Sequence, residues 1–182
     1  MEAHTRKSAM EIGEVYFYTS TIVAWKRLLK NDTYKQIIIN SLKILVERKC
    51  IVIYGFVIMP NHIHLLWEIL KKNGNEDADT SFTKFTAHEF KRDLGNNYPK
   101  ILALFESDKN DRSYQFWQRD PLAVRIFSRE MFIQKLEYIH LNPLQEKWNL
   151  ADRPENYYWS SAKYYEDGTN IFGFITHFME RF

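Results

Sequence analysis

The periodicity of apolar and polar residues in the first third of the chain predicts two strands with a helix between them. Residues 15–23 are dense in β-branched and aromatic side chains, which is typical of a strand. Apolar side chains then recur every three or four positions over residues 32–46 and predict a helix, with Asp32 as its N-cap. Residues 51–59 are apolar on both faces, as in a strand that is covered on two sides.

A third strand is predicted by clean alternation after a turn at Pro60 and Asn61. Its two faces carry different residues: Ile63, Leu65, Trp67 and Ile69 on one, and His62, His64, Leu66 and Glu68 on the other. Side chains two positions apart in a strand point the same way. His62 and His64 are therefore expected together on the more polar face.

The rest of the pattern predicts two more helices and a fourth strand. A polar stretch precedes Ser81, which is expected to cap the second helix. Residues 114–119 are rich in aromatic side chains and are the candidate fourth strand. Ser128 is expected to cap a helix that ends near Asn142, because the residue before Pro143 is pushed out of helical geometry.

This order of elements is typical of an α+β fold. A helix after the first strand and a tight turn between the second and third favour an antiparallel sheet of the ferredoxin-like or RRM-like (RNA-recognition-motif) kind, with helices packed on it. We expect residues 1–182 to form one domain, because this length is enough to bury a hydrophobic core. The expected core of the domain spans about residues 15–145, and residues 146–182 form an aromatic C-terminal tail.

Composition limits the cellular location and the binding partners that we expect for this domain. Cys50 is the one cysteine of the chain, which excludes an internal disulfide and a multi-cysteine metal site and agrees with a reducing cytoplasm. The start of the chain lacks the features of a secretory signal, and the apolar run at 51–59 is too short to cross a bilayer. We therefore expect a cytoplasmic protein that does not bind membranes. The net charge of +2 neither requires nor excludes nucleic acid, and an aromatic content of 16% suits either a ring-rich core or stacking on bases.

The histidine pair is the first candidate site. Two imidazoles on one strand face are a ready pair of metal ligands, and without a cysteine partner a closed zinc site is not favoured. An open site that holds Mg²⁺ or Mn²⁺ beside a phosphate suits His62 and His64 better. The alternative, that the imidazoles only satisfy hydrogen bonds at a sheet edge, is about as frequent for so short a motif.

Tyr138 and Asn142 form the second candidate site. Four positions apart, they share one face of the last turn of the predicted helix. The amide oxygen of Asn142 could be a third ligand, and a phenolate beside a cation is a competent nucleophile toward phosphorus. Taken separately, Tyr138 could be a core aromatic residue and Asn142 a helix terminator. Together with the histidine pair, they predict a metal-assisted attack of a tyrosine on a phosphodiester.

Four blocks of the sequence resemble those of a known protein family. They are GFVIMPNHIHLL at 55–66, FWQRD at 116–120, YIHLNP at 138–143 and WSSA at 159–162. In this order they closely resemble the blocks of the REP-associated tyrosine transposases, which belong with the single-tyrosine HUH transposases of bacterial insertion sequences. The resemblance implies the HUH endonuclease fold. It also implies a transposase that cuts and rejoins single-stranded DNA beside a hairpin, through a 5′-phosphotyrosine and a free 3′-OH.

The resemblance further implies roles for individual residues. His62 and His64 match the metal ligands of the family. Tyr138 matches its nucleophile and Asn142 a third ligand, where insertion-sequence relatives often have Gln and the REP-associated branch is similar in having Asn. The implied cofactor is a divalent metal ion, Mg²⁺ or Mn²⁺, and the implied partner is single-stranded DNA with a hairpin from palindromic, REP-like repeats. A homodimer, as in the insertion-sequence relatives, and a monomer both stay open.

Several basic and aromatic residues are candidates for contact with DNA. They are Lys84, Lys91, Arg92, Trp117 and Arg119. Side chains of these types contact phosphates and stack on bases. The alternative, a solvated helix face and a core tryptophan, is equally compatible with the pattern. A second basic cluster, within residues 26–30, is open to the same two interpretations.

Three other functions are compatible with the sequence. A metal-dependent phosphodiesterase would use water in place of Tyr138 as the nucleophile. A non-catalytic nucleic-acid-binding module on the same fold would use its histidines structurally. A three-carboxylate transposase would need Asp93, Asp120 and Glu137 together, although nothing in the sequence around them groups these residues.

Overall fold

The computed structural model describes residues 10–108 and 112–182. Within these residues it contains four strands and five α-helices, joined by loops and short 3₁₀ turns. In chain order they are β1 (Val15–Thr21), α1 (Asp32–Glu47), β2 (Ile51–Ile58), β3 (His62–Ile69), α2 (Ala78–Asn97), α3 (Pro99–Leu102), β4 (Leu122–Arg125), α4 (Arg129–Leu141) and α5 (Ala162–Asp167). The strands form one antiparallel sheet in the order β2-β3-β1-β4, which confirms the predicted α+β fold.

β3 lies inside the sheet, between β2 and β1, and spans the residues that alternation predicts. Pairing with its neighbours places Thr19 of β1 and Val57 of β2 opposite His64. His64 is therefore enclosed by strands on both sides rather than placed at a sheet edge, and only 5% of its surface is exposed.

Different helices cover the two faces of the sheet. On the face that carries Trp67 of β3, α2 packs through Phe82, and α1 lies against α2. On the opposite face, which carries His64, α4 crosses β2 and β3. α4 packs closely over Gly55, where an added Cβ atom would lie 2.7 Å from the Cδ1 atom of Leu136. The glycine in β2 therefore allows α4 to reach the histidine face.

The predicted fourth strand at 114–119 is wrong, because β4 completes the sheet instead. The aromatic segment runs past the end of β1, where the N–H of Val23 donates to the carbonyl of Phe116. Its pairing is limited to isolated bridges, such as the one between Ile22 and Trp117. Phe116 and Trp117 are buried, so the aromatic content of the segment serves core packing and not a strand.

Two helix starts also differ from the prediction. α1 is capped by Asn31, whose side chain accepts a hydrogen bond from a backbone N–H, so Asp32 is the first helical residue. α2 begins at Ala78, before the expected cap at Ser81, whose hydroxyl instead accepts a hydrogen bond from Asn73. The first turn of each helix is polar, so hydrophobic periodicity does not show where the helix begins.

The end of α4 departs from the predicted geometry. Ser128 caps α4 as predicted, by accepting a hydrogen bond from a backbone N–H. Asn142, however, keeps right-handed helical angles, with φ −56° and ψ −43°, although Pro143 follows it. The chain continues as a 3₁₀ turn (Asn142–Leu144), and proline is tolerated in a first turn because its missing N–H would have no partner there. Asn142 therefore stays on the face of α4 that carries Tyr138.

Residues 146–182 fold back over β2. The N–H of Ile58 donates to the carbonyl of Trp159, and the N–H of Thr176 donates to the carbonyl of Ile53. The outer edge of β2 is thus covered and protected from pairing with other chains. In the described part of the chain, the helices are too short or too polar to cross a membrane.

Candidate active site

The candidate site lies where α4 crosses the histidine face of the sheet. The ring centroids of His62 and His64 are 4.8 Å apart, and the ring of Tyr138 lies 5.4 Å from that of His64. Asn142, one helical turn after Tyr138, places its Nδ2 atom 3.3 Å from Nε2 of His64. The fold therefore brings together the four residues that the sequence singled out from two distant motifs.

A hydrogen bond fixes the tautomer of His62. Its Nδ1 atom lies 2.7 Å from Oδ1 of Asn61, and the Nδ2 group of Asn61 donates to the carbonyl of Trp25 at 3.2 Å. Because an amide oxygen only accepts, Nδ1 of His62 carries the proton and donates it. The lone pair of Nε2 is then left for another partner, which is the arrangement that metal-binding histidines require.

His64 is oriented in a similar way by a neighbour on β1. Its Nδ1 atom lies 2.7 Å from the hydroxyl oxygen of Thr19, and its ring stacks on Phe17 with 5.3 Å between centroids. A hydroxyl oxygen can accept the Nδ1 proton. With the proton on Nδ1, Nε2 presents its lone pair toward Asn142.

Asn142 contains an unpaired polar atom. The residue is 2% exposed, and its Oδ1 atom is buried without a hydrogen-bond partner in the described part of the chain. A buried amide oxygen without a partner is unfavourable, and a bound cation would supply the missing partner. Two imidazole nitrogens and one amide oxygen fit a divalent cation that leaves room for water or phosphate oxygens. The residues present are thus compatible with the metal ion that the sequence implies.

Burial keeps both candidate histidine ligands neutral. Desolvation and, to a smaller extent, the positive charge of Lys147 lower the pKa of His62 to about 4. Desolvation also lowers the pKa of His64 to about 3, with smaller contributions from His62, Lys135 and Lys147. Both imidazoles are therefore deprotonated at neutral pH, and a cation can bind them without displacing a proton.

Tyr138 combines contact with the site and access to solvent. The side chain is 45% exposed, and its ring packs edge-on against Phe17 at 5.9 Å between centroids. A phenol held beside a ligand histidine but open on one side can be reached by a large polymer substrate. This partial exposure suits a nucleophile better than a core aromatic residue.

Lys135 is a neighbour of the site that the sequence analysis missed. Its Nζ atom lies 5.1 Å from the centroid of the Phe17 ring, which itself stacks on His64. The signal was present, because Lys135 precedes Tyr138 by three residues on the same helix and residues at that spacing share a face. The role of Thr19 was not visible, because sequence alone does not give the register between β1 and β3.

The candidate DNA contacts on α2 do not join the site. Lys84 and Arg92 form ion pairs with Glu76 and Glu89, and α2 covers the face of the sheet opposite His64. Lys91 Nζ lies over the ring of Tyr114, 5.0 Å from its centroid. These residues therefore remain candidates for a surface that is separate from the histidine site.

The suggestion that Trp117 stacks on bases is corrected by its burial. The side chain is 7% exposed, and its indole N–H donates to the hydroxyl of Thr86 on α2 at 2.9 Å. The ring packs between Phe82 and Phe90 and has no free face for a base. Arg119, nearby in sequence, is exposed and stays a candidate for contact with DNA.

The three-carboxylate alternative finds no support in the described residues. Among residues 10–108 and 112–182, no group of three His, Cys, Asp or Glu side chains is placed to hold a metal ion. The carboxylate of Asp93 accepts a hydrogen bond from Tyr34 at 2.8 Å, between α1 and α2 and away from α4. The histidine site differs from such a cluster because its third candidate ligand is an asparagine.

Comparison with known proteins agrees with the fold. No protein-family model matches the chain, and no curated protein sequence matches it. Among solved structures, it is similar to a REP-associated tyrosine transposase bound to a REP hairpin, with a TM-score of 0.62, 18% sequence identity, and coverage of 92% of this chain and 87% of that chain. The chain therefore has the fold of the REP-associated tyrosine transposases, as the four sequence blocks indicated.

A second solved structure, of a Deinococcus radiodurans R1 protein with a provisional assignment as a transposase, is more distant. It has a TM-score of 0.44 and 13% identity, and the match covers 76% of this chain and 95% of that chain. A likeness at this level does not by itself establish a shared fold.

Proposed function

We propose that this protein is a metal-dependent transposase that cleaves and rejoins single-stranded DNA beside a hairpin. The observation that carries the proposal is the unpaired, buried Oδ1 atom of Asn142, in a side chain that meets Nε2 of His64 one turn from Tyr138. The fold shared with a transposase that binds a REP hairpin supports palindromic, REP-like repeats as the substrate.

His62, His64 and Asn142 are the residues that would hold the metal ion, through two Nε2 atoms and one amide oxygen. A bound Mg²⁺ or Mn²⁺ would polarise a non-bridging oxygen of the scissile phosphate and favour the ionised form of a nearby phenol. Asn61 and Thr19 keep the two imidazoles in the tautomers that present Nε2. Lys135, whose Nζ atom lies over the Phe17 ring, would add positive charge beside the bound phosphate.

Tyr138 is the proposed nucleophile. Its phenolic oxygen gives up a proton to solvent and attacks phosphorus in line, forming a phosphotyrosine bond to the 5′-phosphate of the strand downstream of the break. The bond to the deoxyribose oxygen breaks, and that oxygen takes a proton to become a free 3′-OH. Attack of a 3′-OH on the phosphotyrosine reverses these steps, reseals DNA and regenerates Tyr138. Because the phosphodiester energy is kept in the covalent link, rejoining needs no nucleotide hydrolysis.

Covalent capture tests this proposal. The wild-type protein is incubated with Mn²⁺ and labelled single-stranded oligonucleotides that contain a stable hairpin with randomised flanks, and the products are separated in SDS. We expect a denaturation-resistant protein–DNA adduct that disappears with EDTA and in Tyr138→Phe. Tyr158→Phe is the matched control, because Tyr158 is similarly exposed, at 52%, and packs on Trp159 in the C-terminal region.

Two results would contradict the proposed chemistry. Cleavage without an adduct would assign the attack to water and make the protein a phosphodiesterase. Hairpin binding that is insensitive to EDTA, with neither cleavage nor adduct for any member of the oligonucleotide pool, would make it a non-catalytic binding module.

A further inference from the structure

A groove beyond the end of β1 is lined by both rings and cations. It lies between the 3₁₀ turns that follow β1 and the segment after α2, and its volume of about 700 Å³ is typical of ligand sites. We call it the Tyr98 groove and define it by Lys26, Arg27, Lys30, Tyr34, Tyr98 and Phe105. Aliphatic surface in the groove comes from Leu28, Ile101 and Leu104, and no carboxylate is found among its described lining residues.

The cations of the Tyr98 groove are not paired with any carboxylate of residues 10–108 or 112–182. Arg27 and Lys30 are exposed, and Lys26 lies over the ring of Phe105, with Nζ 5.5 Å from its centroid. In the described part of the chain, none of the three forms an ion pair with a carboxylate. A concave surface with three unpaired positive charges attracts an anionic ligand.

Exposed rings beside these cations favour nucleic acid over an acidic peptide. Tyr98 is 46% exposed at the wall of the groove. Trp25, immediately before Lys26, is 69% exposed and has a φ angle of 52°, which bulky residues rarely adopt. Grooves that bind single-stranded nucleic acid combine positive charge with rings on which unpaired bases stack.

Two series of contacts run from His62 toward residues at or beside the Tyr98 groove. Asn61 donates to the carbonyl of Trp25 through one end of its amide and accepts from His62 through the other. Arg27 lies over the ring of Trp148, with Cζ 5.6 Å from its centroid, and that ring is 5.7 Å from the ring of His62. Arg27 of the groove and His62 of the candidate site therefore contact the same ring, that of Trp148.

We propose that the Tyr98 groove binds unpaired nucleotides of the DNA strand that flanks the cleaved phosphodiester. Bases stack on Tyr98, and phosphates contact Lys26, Arg27 and Lys30. The identity of the strand rests on the proposed function, whereas the affinity for unpaired nucleotides does not. The groove would hold the strand beside the metal site before and after cleavage.

Fluorescence anisotropy tests the proposal with a labelled oligothymidylate of about 16 nucleotides, the upper end of common single-strand site sizes. EDTA is present throughout, so that binding is measured without cleavage. Tyr98→Ala is expected to weaken binding about five- to a hundredfold because the stacking of a base is removed. Tyr98→Phe keeps the ring and is expected to bind like the wild type.

The salt dependence of binding tests the role of the cations. Lys26→Glu with Lys30→Glu is expected to reduce the slope of log affinity against log salt by about 0.7 for each phosphate that the variant no longer neutralises. The matched control reverses two exposed lysines elsewhere, Lys43 on α1 and Lys71 after β3, and is expected to keep the wild-type slope.

Several outcomes would overturn the proposal. These are a wild-type protein that does not bind the oligothymidylate, a Tyr98→Ala variant with wild-type affinity, and equal salt slopes for the two lysine pairs. A wild-type dimer that Tyr98→Ala converts to a monomer in sedimentation would assign the groove to a second copy of the chain. No covalent product is scored in this experiment. A negative result in the adduct experiment would therefore not contradict the proposed role of the groove, and a negative result here would not contradict the proposed role of Tyr138.

Discussion

Asn142 meets His64 at 3.3 Å with its Nδ2 atom, while its Oδ1 atom is buried and unpaired. The two residues are 78 positions apart and come from a strand and from the end of a helix. Leaving a buried polar atom without a partner typically costs about 1–3 kcal/mol. A cation shared by the two side chains would relieve this cost.

Asn142→Leu separates a ligand role from a structural role. Leucine has a similar volume and removes the unpaired oxygen, but it also removes the amide that meets Nε2 of His64. These two effects oppose each other, so the free energy of unfolding of the metal-free protein should change by less than about 2 kcal/mol. The affinity for Mn²⁺ should fall at least about tenfold, because one of three protein ligands is removed. Electron paramagnetic resonance measures Mn²⁺ binding, and urea denaturation in EDTA measures stability. Clear destabilisation with unchanged Mn²⁺ affinity would argue for a structural asparagine.

Thr19→Val tests whether Thr19 positions His64. Valine has the shape of threonine but cannot accept the Nδ1 proton, so the imidazole loses the partner that fixes its tautomer. We expect the Mn²⁺ affinity to fall about 10–100-fold, as is usual when the hydrogen-bond partner of a ligand histidine is removed. Thr19→Ser keeps a hydroxyl and should restore most of the affinity. Equal Mn²⁺ affinities for the valine and serine variants would show that the hydroxyl of Thr19 does not position His64.

Gly55→Ala tests the close approach of α4 to the sheet. The added methyl group would lie 2.7 Å from Cδ1 of Leu136 and 3.3 Å from Cδ1 of Ile139. We expect a loss of about 1–3 kcal/mol in the free energy of unfolding and weaker adduct formation, because α4 carries Tyr138. Gly95→Ala is the control, since its new methyl group would meet nothing nearer than 3.7 Å and alanine favours a helix by about 1 kcal/mol. Urea denaturation should therefore move in opposite directions for the two variants.

Acid should destabilise the metal-free protein through its buried histidines. Desolvation lowers the pKa of His140 from 6.5 to about 4, as it does for His62, and that of His64 to about 3. The unfolded chain therefore binds protons below pH 6.5 that the folded chain does not, and the free energy of unfolding should fall as pH decreases from 6.5 to about 4.

His140→Gln isolates one of these three contributions. His140 Nε2 lies 2.8 Å from the hydroxyl oxygen of Ser161, and glutamine keeps a polar group there without titrating. Urea denaturation in EDTA should give a smaller loss of stability between pH 6.5 and 4 for this variant than for the wild type. An equal loss in both proteins would show that His140 is not neutral in the folded state.

The sequence predicted β3 and its histidine face well because one physical rule governs both. Alternation continues along the whole of β3, and the register shift in its pairing with β2 falls on β2, between Ile53 and Gly55. Helical spacing placed Tyr138 and Asn142 on one face for a similarly local reason. Local rules do not predict that the histidine pair and the Tyr138–Asn142 pair come together, because this depends on the packing of α4 over Gly55.

The misplaced fourth strand shows where local patterns fail. Aromatic side chains favour strands, but they also fill cores, and Phe116 and Trp117 do the latter against α2. β4 is short and partly exposed, so its four residues give a weak signal. The same ambiguity made Trp117 a candidate for stacking on bases, since sequence does not show which rings are covered.

An anomalous difference map from a crystal of the wild-type protein grown with Mn²⁺ tests most directly whether His62, His64 and Asn142 bind one metal ion beside Tyr138. We expect one peak about 2.1–2.5 Å from Nε2 of His62, Nε2 of His64 and Oδ1 of Asn142, with the hydroxyl of Tyr138 facing its open side. A peak that excludes Asn142, or Mn²⁺ bound only away from β3, would contradict a site in which these four side chains act around one ion.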